Sequence, residues 1–250
     1  MRNLLLVIAV WFFFALVTYP QDIIKMYVFY TPSHNQLFTQ WFLPSLTQEY
    51  ELIIEYHGQE CYSGNFMQDG WNDTMLRKVN LIIRAIEENL IETHPDGGNI
   101  FIHADIDIQF FGPTKEIICS FMHNRDMAIQ RNRPNGALCA GFFACRANKK
   151  TLALWQAIRT AMIRNKTIND QVWLEYFLQK NNKFNISWTL LPIIFYGAGS
   201  ITNCEWKPGE YLPIPKGILL HHANFTVGVD NKIAQLAYVK KRVEEINATA

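Results

Sequence analysis

The sequence predicts an α/β domain: a mixed, mostly parallel sheet flanked by helices, preceded by an N-terminal hydrophobic anchor helix. Three observations predict it. β-rich apolar runs alternate with an amphipathic helical repeat, the pattern of a sheet covered by helices. Apolar residues make up 49% and charged residues 18% of the 250 positions, the composition of a packed chain. Residues 4–19 carry no charge, with Arg2 before them and Asp22 after them. No repeat, low-complexity tract or Gly/Ser linker divides residues 23–250, so one domain is expected there. The net charge of +1 generates no field that would hold nucleic acid.

Residues 1–22 come first. Their apolar run is longer than a usual signal-peptide core and shorter than the roughly 20 residues that span a bilayer. The absence of a small-x-small cleavage pattern favours a retained signal anchor, with Arg2 on the cytosolic side; a cleaved signal peptide is the alternative. Both place the rest of the chain outside the cytosol. The anchor reading gives a single-pass ER or Golgi membrane protein with a lumenal catalytic domain; cleavage gives a secreted one. Asn-x-Ser/Thr sequons at Asn72, Asn165, Asn185, Asn224 and Asn247 agree with that compartment. The five cysteines allow at most two disulfides. Cys139 and Cys145, in one extended run, stand roughly 20 Å apart and cannot pair.

Lys25 to Tyr30 is rich in β-formers and stops at Thr31-Pro32, which predicts a buried strand followed by a loop. A short helix is expected within Gln40 to Leu46, then a strand from Glu51 to Tyr56. In Trp71 to Leu90, residues Met75, Val79, Ile82, Ile83, Ile86 and Leu90 recur at three- and four-residue steps, predicting a helix capped by Asn72 or Asp73. Pro95-Asp96-Gly97-Gly98 turns the chain into the next strand. Glu116 to Met122 reads as a short apolar strand and Ala137 to Arg146 as a longer one. Lys150 to Arg164 is helical, with Leu154, Trp155, Ile158 and Met162 on one face. A further helix, capped at Asn169-Asp170, runs to about Leu178, and Trp188 to Phe195 and Gly217 to His222 are the last strands.

Four constellations carry chemistry. The run Ile100-Phe-Ile-His-Ala-Asp-Ile-Asp107 ends a strand in two acids one residue apart. In extended chain, residues i and i+2 point to the same side, so Asp105 and Asp107 are expected to face one spot. Their repulsion is relieved by a divalent cation, and hard oxygen ligands suit magnesium or manganese. Gln109-Phe110-Phe111-Gly112-Pro113 reads as a loop folding back over that site. Alone, the pair is equally an acidic turn. The second constellation is His221-His222-Ala-Asn-Phe-Thr-Val-Gly-Val-Asp-Asn-Lys232. An imidazole there supplies a third metal ligand, Gly228 lets backbone approach closely, and Lys232 offers a point charge for a phosphate. The third is Asn169-Asp170-Gln171 at a helix start, where simple capping is the competing reading. The fourth is Gly141 inside a strand, a mark of close approach by a ligand or by another backbone.

In this order the four resemble the GT-A-fold nucleotide-diphospho-sugar glycosyltransferases of the Asp-x-Asp type. The matching segments are Phe101 to Phe111, Gly141 to Asn148, Asp170-Gln171, and His222 to Lys232, with the Tyr30-Thr31-Pro32-Ser33-His34 exit of the first strand. The resemblance covers roughly residues 25 to 240, and it departs from some relatives in having Ile233-Ala234 where they carry Pro-Trp. It implies that Thr31 begins the nucleotide-binding loop, and that Asp105 contacts the donor ribose or the metal. Asp107 and His222 would ligate manganese or magnesium, although His221 leaves open which histidine does so. Lys232, near Gly228, would offset charge on the leaving diphosphate, and Asp170 and Gln171 would face the transferred sugar or the acceptor. The implied activity is metal-dependent transfer of a hexosyl or pentosyl group, with retention, from a UDP-sugar or similar donor to a glycan or glycoprotein. Two other classes fit the Asp pair less well: a metal-dependent phosphohydrolase, which would carry the pair near the start of the domain, and a non-catalytic glycan-binding scaffold.

Overall fold

The computed structural model describes residues 23–58, 61, 65, 68–91, 99–202 and 204–249. The anchor expected over residues 1–22 and the turn at Pro95 to Gly98 lie outside the described residues. Among the described residues no helix is long and apolar enough to cross a membrane.

A six-stranded sheet forms the framework. Its strands are β1 (Ile24–Tyr30), β2 (Tyr50–Tyr56), β3 (Ile100–Ala104), β5 (Met127–Arg131), β6 (Leu138–Arg146) and β7 (Trp188–Leu190), in the spatial order β2-β1-β3-β6-β5-β7. The β1–β2, β1–β3 and β5–β7 pairs are parallel, and the β3–β6 and β5–β6 pairs are antiparallel. The sheet is therefore mixed and mostly parallel. A second sheet holds β4 (Ile108–Phe110), β9 (Leu220–His222) and β8 (Phe195–Gly197), with β9 in the middle.

Alternation along the strands sorts side chains onto two faces. Tyr27, Phe29, Phe101, Met127, Ile129, Phe143 and Cys145 pack on one face against α1 (Trp71–Ile91), α3 (Lys149–Arg164) and α4 (Asp170–Glu175). Trp155 of α3 stacks on Phe143 with ring centroids 5.2 Å apart. Met26, Val28, Ile102, Ala104, Ala128, Phe142 and Ala144 face the other way. There they meet a helical stretch over residues 32–45, α2 (Lys115–Met122) and the second sheet. A last helix, α5 (Val229–Ala248), follows β9.

Several local expectations are corrected. The run from Glu116 to Met122 is helix α2, not strand: Ile118 and Met122, four apart, are its buried residues, and so short an apolar run does not declare its period. Trp71 already opens α1, and the Thr74 N–H bonds to the Gly70 carbonyl; Asn72 and Asp73 thus sit in the first turn and do not cap it. The expected strand from Trp188 to Phe195 is broken into β7 and β8, which belong to different sheets. Gln109 and Phe110, expected in a loop over the site, belong to strand β4, buried against β9, and Phe111 to Pro113 follow it outside any strand. Strand β5 and helix α5 had no clear signature. Cys119, Cys139, Cys145 and Cys204 are free thiols.

Asp126 ties the far side of the sheet together. Its carboxylate accepts hydrogen bonds from Asn148 Nδ2 at 2.8 Å, Lys150 Nζ at 2.6 Å and the Ser187 N–H at 2.8 Å. Burial pushes this carboxyl up, but Lys150, Ser187 and Asn148 outweigh burial and hold it below its ordinary value. A carboxyl depressed in the folded state adds stability above its unfolded pKa, and that stability is lost as pH falls through the folded value. Asp126→Asn should therefore lower the unfolding free energy by about 2 kcal/mol at neutral pH. The difference from the parent should shrink below about pH 4, where the unfolded carboxyl itself begins to protonate. Urea denaturation at pH 7 and pH 3 checks this; an equal difference at both would be inconsistent with an ionised Asp126.

Candidate active site

β3 ends at Ala104, and residues 105–107 bend before β4 begins at Ile108. Asp105 and Asp107 therefore do not share one side of an extended strand. The bend sends them to different neighbours. Asp105 lies by α1 and β3: Lys78 Nζ is 3.6 Å from its Oδ1, and His103 Nε2 is 3.4 Å from the same atom. Asp107, 5% exposed, meets the C-terminal segment, with its Oδ1 3.2 Å from His222 Nε2 and its Oδ2 bonded to Lys232 Nζ. One ligand atom from each of Asp105, Asp107 and His222 lies within 4.8 Å of the others.

The second sheet makes this meeting possible. β4 pairs antiparallel with β9 so that Ile108 stands opposite His222, and the Ala223 N–H donates to the Asp107 carbonyl at 2.9 Å. Strand alternation also decides between the histidines. His222 faces Asp107, while His221 points away, fully buried and stacked on Tyr196 at 5.1 Å. Burial, and then the neighbouring His222, push the His221 pKa down to about 3, so this imidazole is neutral. After β9, Gly228 takes φ = +92°, a conformation for which glycine is suited, and turns the chain into α5 with Lys232 in its first turn.

Electrostatics bind the acids in place. Burial raises the Asp107 carboxyl, but Lys232 and His222 outweigh burial and hold it well below the usual carboxylate range. Burial lowers the His222 imidazole, yet Asp107 beside it carries it up to about 10. Burial likewise opposes ionisation of Asp105, and Lys78, then His103, bring its carboxyl below the ordinary value. Lys78 itself is 3% exposed and pairs with Asp170 Oδ2 at 2.8 Å. Burial disfavours its charge, but Asp105 and Asp170 reverse that and raise its pKa.

Every residue expected at the site lines one cavity of about 490 Å³: Thr31, Asp105, Asp107, Asp170, Gln171, His222, Gly228 and Lys232. Thr31 is 4% exposed and braces the loop after β1, its hydroxyl near Ser33 Oγ at 3.3 Å and His34 Nδ1 at 3.4 Å. Asn169 caps α4 by accepting from the Val172 N–H. This frees Asp170 for Lys78, and the Gln171 side-chain oxygen accepts from the Ala140 N–H at 3.3 Å. Lys232 touches Asp107 directly, closer to the acids than a role confined to phosphate would require. The Arg146-Ala147-Asn148 ending of β6 is structural: Arg146 donates to the carbonyls of Met122 and Arg125, and Asn148 forms a capping box with Thr151.

Lys78, His103 and His34 were missed. Lys78 had a signal, because it lies three residues after Met75 and four before Ile82, on the apolar face of a helix. A lysine buried in that stripe needs an acidic partner. Gly141 is needed sterically: a Cβ there would stand 2.4 Å from His222 Cε1 and 2.5 Å from Asp105 Oδ2.

Two carboxylates and an imidazole converging on one point, with a lysine beyond each acid, suit a hard divalent cation and an anionic group. Residues 62–236 match the profile of the nucleotide-diphospho-sugar transferase family. The chain belongs to that family. This nucleotide-diphospho-sugar transferase has no match among curated proteins. Its fold is similar to that of a glycosyltransferase involved in the glycosylation of the major capsid of PBCV-1. The two share 10% identity with a TM-score of 0.54, over 86% of this chain and 99% of that one. The glycosyltransferase GlyE of Streptococcus pneumoniae TIGR4 gives 11% identity and a TM-score of 0.49, over 85% of this chain and 59% of that one. Mouse xyloside xylosyltransferase 1 gives 9% and 0.45, over 80% and 97%.

Gly141→Ala should push His222 and Asp105 apart. The expected result is at least a roughly tenfold weaker affinity for a nucleotide sugar, with an unfolding free energy lower by about 1–3 kcal/mol. Titration calorimetry beside urea denaturation measures both; undiminished donor affinity would show that this close approach does not matter.

Proposed function

We propose that this glycosyltransferase uses manganese or magnesium to transfer a sugar, with retention, from a nucleoside diphosphate, a UDP-sugar foremost, to a glycan or glycoprotein. The observation that carries the metal reading is the convergence of Asp105, Asp107 and His222, two segments more than a hundred residues apart in sequence. Oxygen and imidazole ligands fit the ion. When bound, a divalent cation supplies positive charge that stabilises the departing diphosphate.

The chain's own residues set the rest. Lys232, more exposed than Asp107 beside it, would reach a phosphate oxygen as negative charge grows there. Lys78 is too deeply fixed between Asp105 and Asp170 for that task; its ammonium holds both carboxylates in position. Gln171 keeps its side-chain NH₂ as a donor for a sugar hydroxyl, since its oxygen is engaged by Ala140. Thr31 and His34 border the cavity at the end of β1, where the nucleoside is proposed to lie. The Asp170 carboxylate, 2% exposed and paired with Lys78, lines the same cavity beside Gln171, where the transferred sugar or the acceptor is proposed to lie. Retention is proposed from the His222 to Lys232 ending. Residence in the ER or Golgi lumen, through a single-pass anchor in residues 1–22 ahead of one domain over 23–250, is proposed from the apolar N-terminus and the sequons.

A panel of nucleotide sugars, screened for manganese-dependent binding and hydrolysis, identifies the donor. With that donor, Asp107→Ala is expected to lose metal-dependent binding and to reduce turnover by at least about a hundredfold. Wild-type behaviour from that variant would remove Asp107 from the metal site. Proton NMR of the first-formed product should show the anomeric configuration of the donor; an inverted anomer would overturn retention.

A further inference from the structure

The imidazole of His222 has two nitrogens, and only Nε2 faces Asp107. Nδ1 faces the main sheet. There Gln130 Oε1 lies 2.9 Å away, and Cys139 Sγ, the other neighbour, lies 3.5 Å away. Gln130 is fully buried, and its orientation is fixed independently of the histidine. Its Nε2 donates to the Phe195 carbonyl at 3.1 Å, a group that only accepts. The amide oxygen is thereby the end turned to His222. An amide oxygen only accepts, so Nδ1 must carry a hydrogen; when a cation takes the place of the Nε2 proton, the lone pair of the resulting neutral ring falls on Nε2, toward Asp105 and Asp107.

The sheet is built to allow this contact. Ile129 of β5 pairs with Phe143 of β6, but the next residue, Gln130, pairs with Cys139. Ala140, Gly141 and Phe142 thus have no partner on β5; Phe142 pairs with Ala104 at the end of β3, and the Gly141 carbonyl accepts from the Asp105 N–H just beyond it. Bulges of this kind re-aim side chains beside active sites. The imidazole borders this breach, with Gly141 beside its Cε1 and Gln130 and Cys139 at its Nδ1. Phe195, which holds the amide, belongs to β8, the strand that pairs with β9. One amide therefore joins β5, β8 and β9.

We propose that Gln130 is a positioning residue for His222: it fixes the ring's rotation and its Nδ1–H tautomer, so that Nε2 is presented to a divalent cation held with Asp105 and Asp107. The inference rests on the metal reading of the site. Gln130 touches neither donor nor acceptor in this role and acts only through the histidine. Partners of this kind typically change metal affinity by 10- to 100-fold.

The test uses the full chain without donor and reads Mn²⁺ binding by electron paramagnetic resonance. Gln130→Met fills a similar volume but accepts no hydrogen bond from Nδ1 in the same way. It is expected to weaken Mn²⁺ binding by about 10- to 100-fold. Gln130→Asn keeps an amide but draws its oxygen back by one methylene, and it should show the same loss. Gln130→Glu restores an acceptor at full reach and should recover most of the affinity. A structural role alone would not discriminate Glu from Asn in this way. Two-bond proton–nitrogen spectra of the Zn²⁺-loaded chain give a second readout: the parent should show one His222 tautomer, protonated at Nδ1, and Gln130→Met should lose that pattern. If the parent and Gln130→Met bind Mn²⁺ equally while Asp107→Ala does not bind it, the role of Gln130 is overturned and the metal site stands. If the parent does not bind Mn²⁺, the metal reading fails and this inference with it.

Discussion

The antiparallel pairing of β4 with β9 is the constraint on which the site depends. It joins the strand that begins right after Asp107 to the strand that ends in His222. Closing so long a loop is entropically unfavourable, and the closure must be held by something stronger than a shared ion. Here it is held by strand pairing and by the buried side chains of Ile108, Phe110 and Leu220. Register matters more than proximity. A one-residue slip would reverse every side chain on β9, bringing His221 toward Asp107 and carrying His222 away. His221 is already committed to the opposite side by its stacking on Tyr196. The packing of one histidine thus secures the placement of the other.

Charge compensation is the second layer. Three of the carboxylates that line the cavity have a cation beside them: Lys232 and His222 beside Asp107, and Lys78 shared between Asp105 and Asp170. Buried charges left alone would abandon ionisation, so these pairs keep Asp105 and Asp107 charged at neutral pH. The two lysines are not equivalent. Lys78 comes from the buried face of α1 and is enclosed, with a side chain 4% exposed, whereas Lys232 stands at the start of α5 and keeps 22% exposure. Under the proposed mechanism the enclosed lysine fixes geometry, and the more exposed one has the freedom to follow a phosphate.

The sequence made the local chemistry legible and concealed part of its arrangement. β1, β2, β6, α1 and α3 announce themselves through β-rich or apolar runs or through apolar steps of three and four. β4 and β9, at three residues each, are too short to carry a period, yet they bring the site together. The acidic pair pointed to the right place for a partly wrong reason. Extended geometry would aim both acids alike, but β3 stops at Ala104, and the bend divides them between α1 and β9 before they reconverge on one point. Lys78 was readable as a charge inside an apolar stripe. Gln130 was not, since a single glutamine in an unrecognised strand offers neither spacing nor pattern.

The breach between β5 and β6 explains why the site takes this form. Paired strands lie about 4.8 Å apart, and their ladder leaves no room for a ring between backbones. β6 gives up its pairing with β5 over Ala140 to Phe142; Phe142 keeps its partner Ala104 on β3, and just beyond that pair the Gly141 carbonyl accepts from the Asp105 N–H at 2.6 Å. The same glycine therefore does two things. Its backbone holds the first acid at the strand exit, and its missing side chain admits the imidazole that completes the set. Restoring the ladder would close the space against His222, and adding a methyl would fill it. The two sheets are thus interdependent: the larger opens where the smaller delivers its histidine, and Asp105, Asp107 and His222 can meet only because both conditions are satisfied by one short stretch of β6.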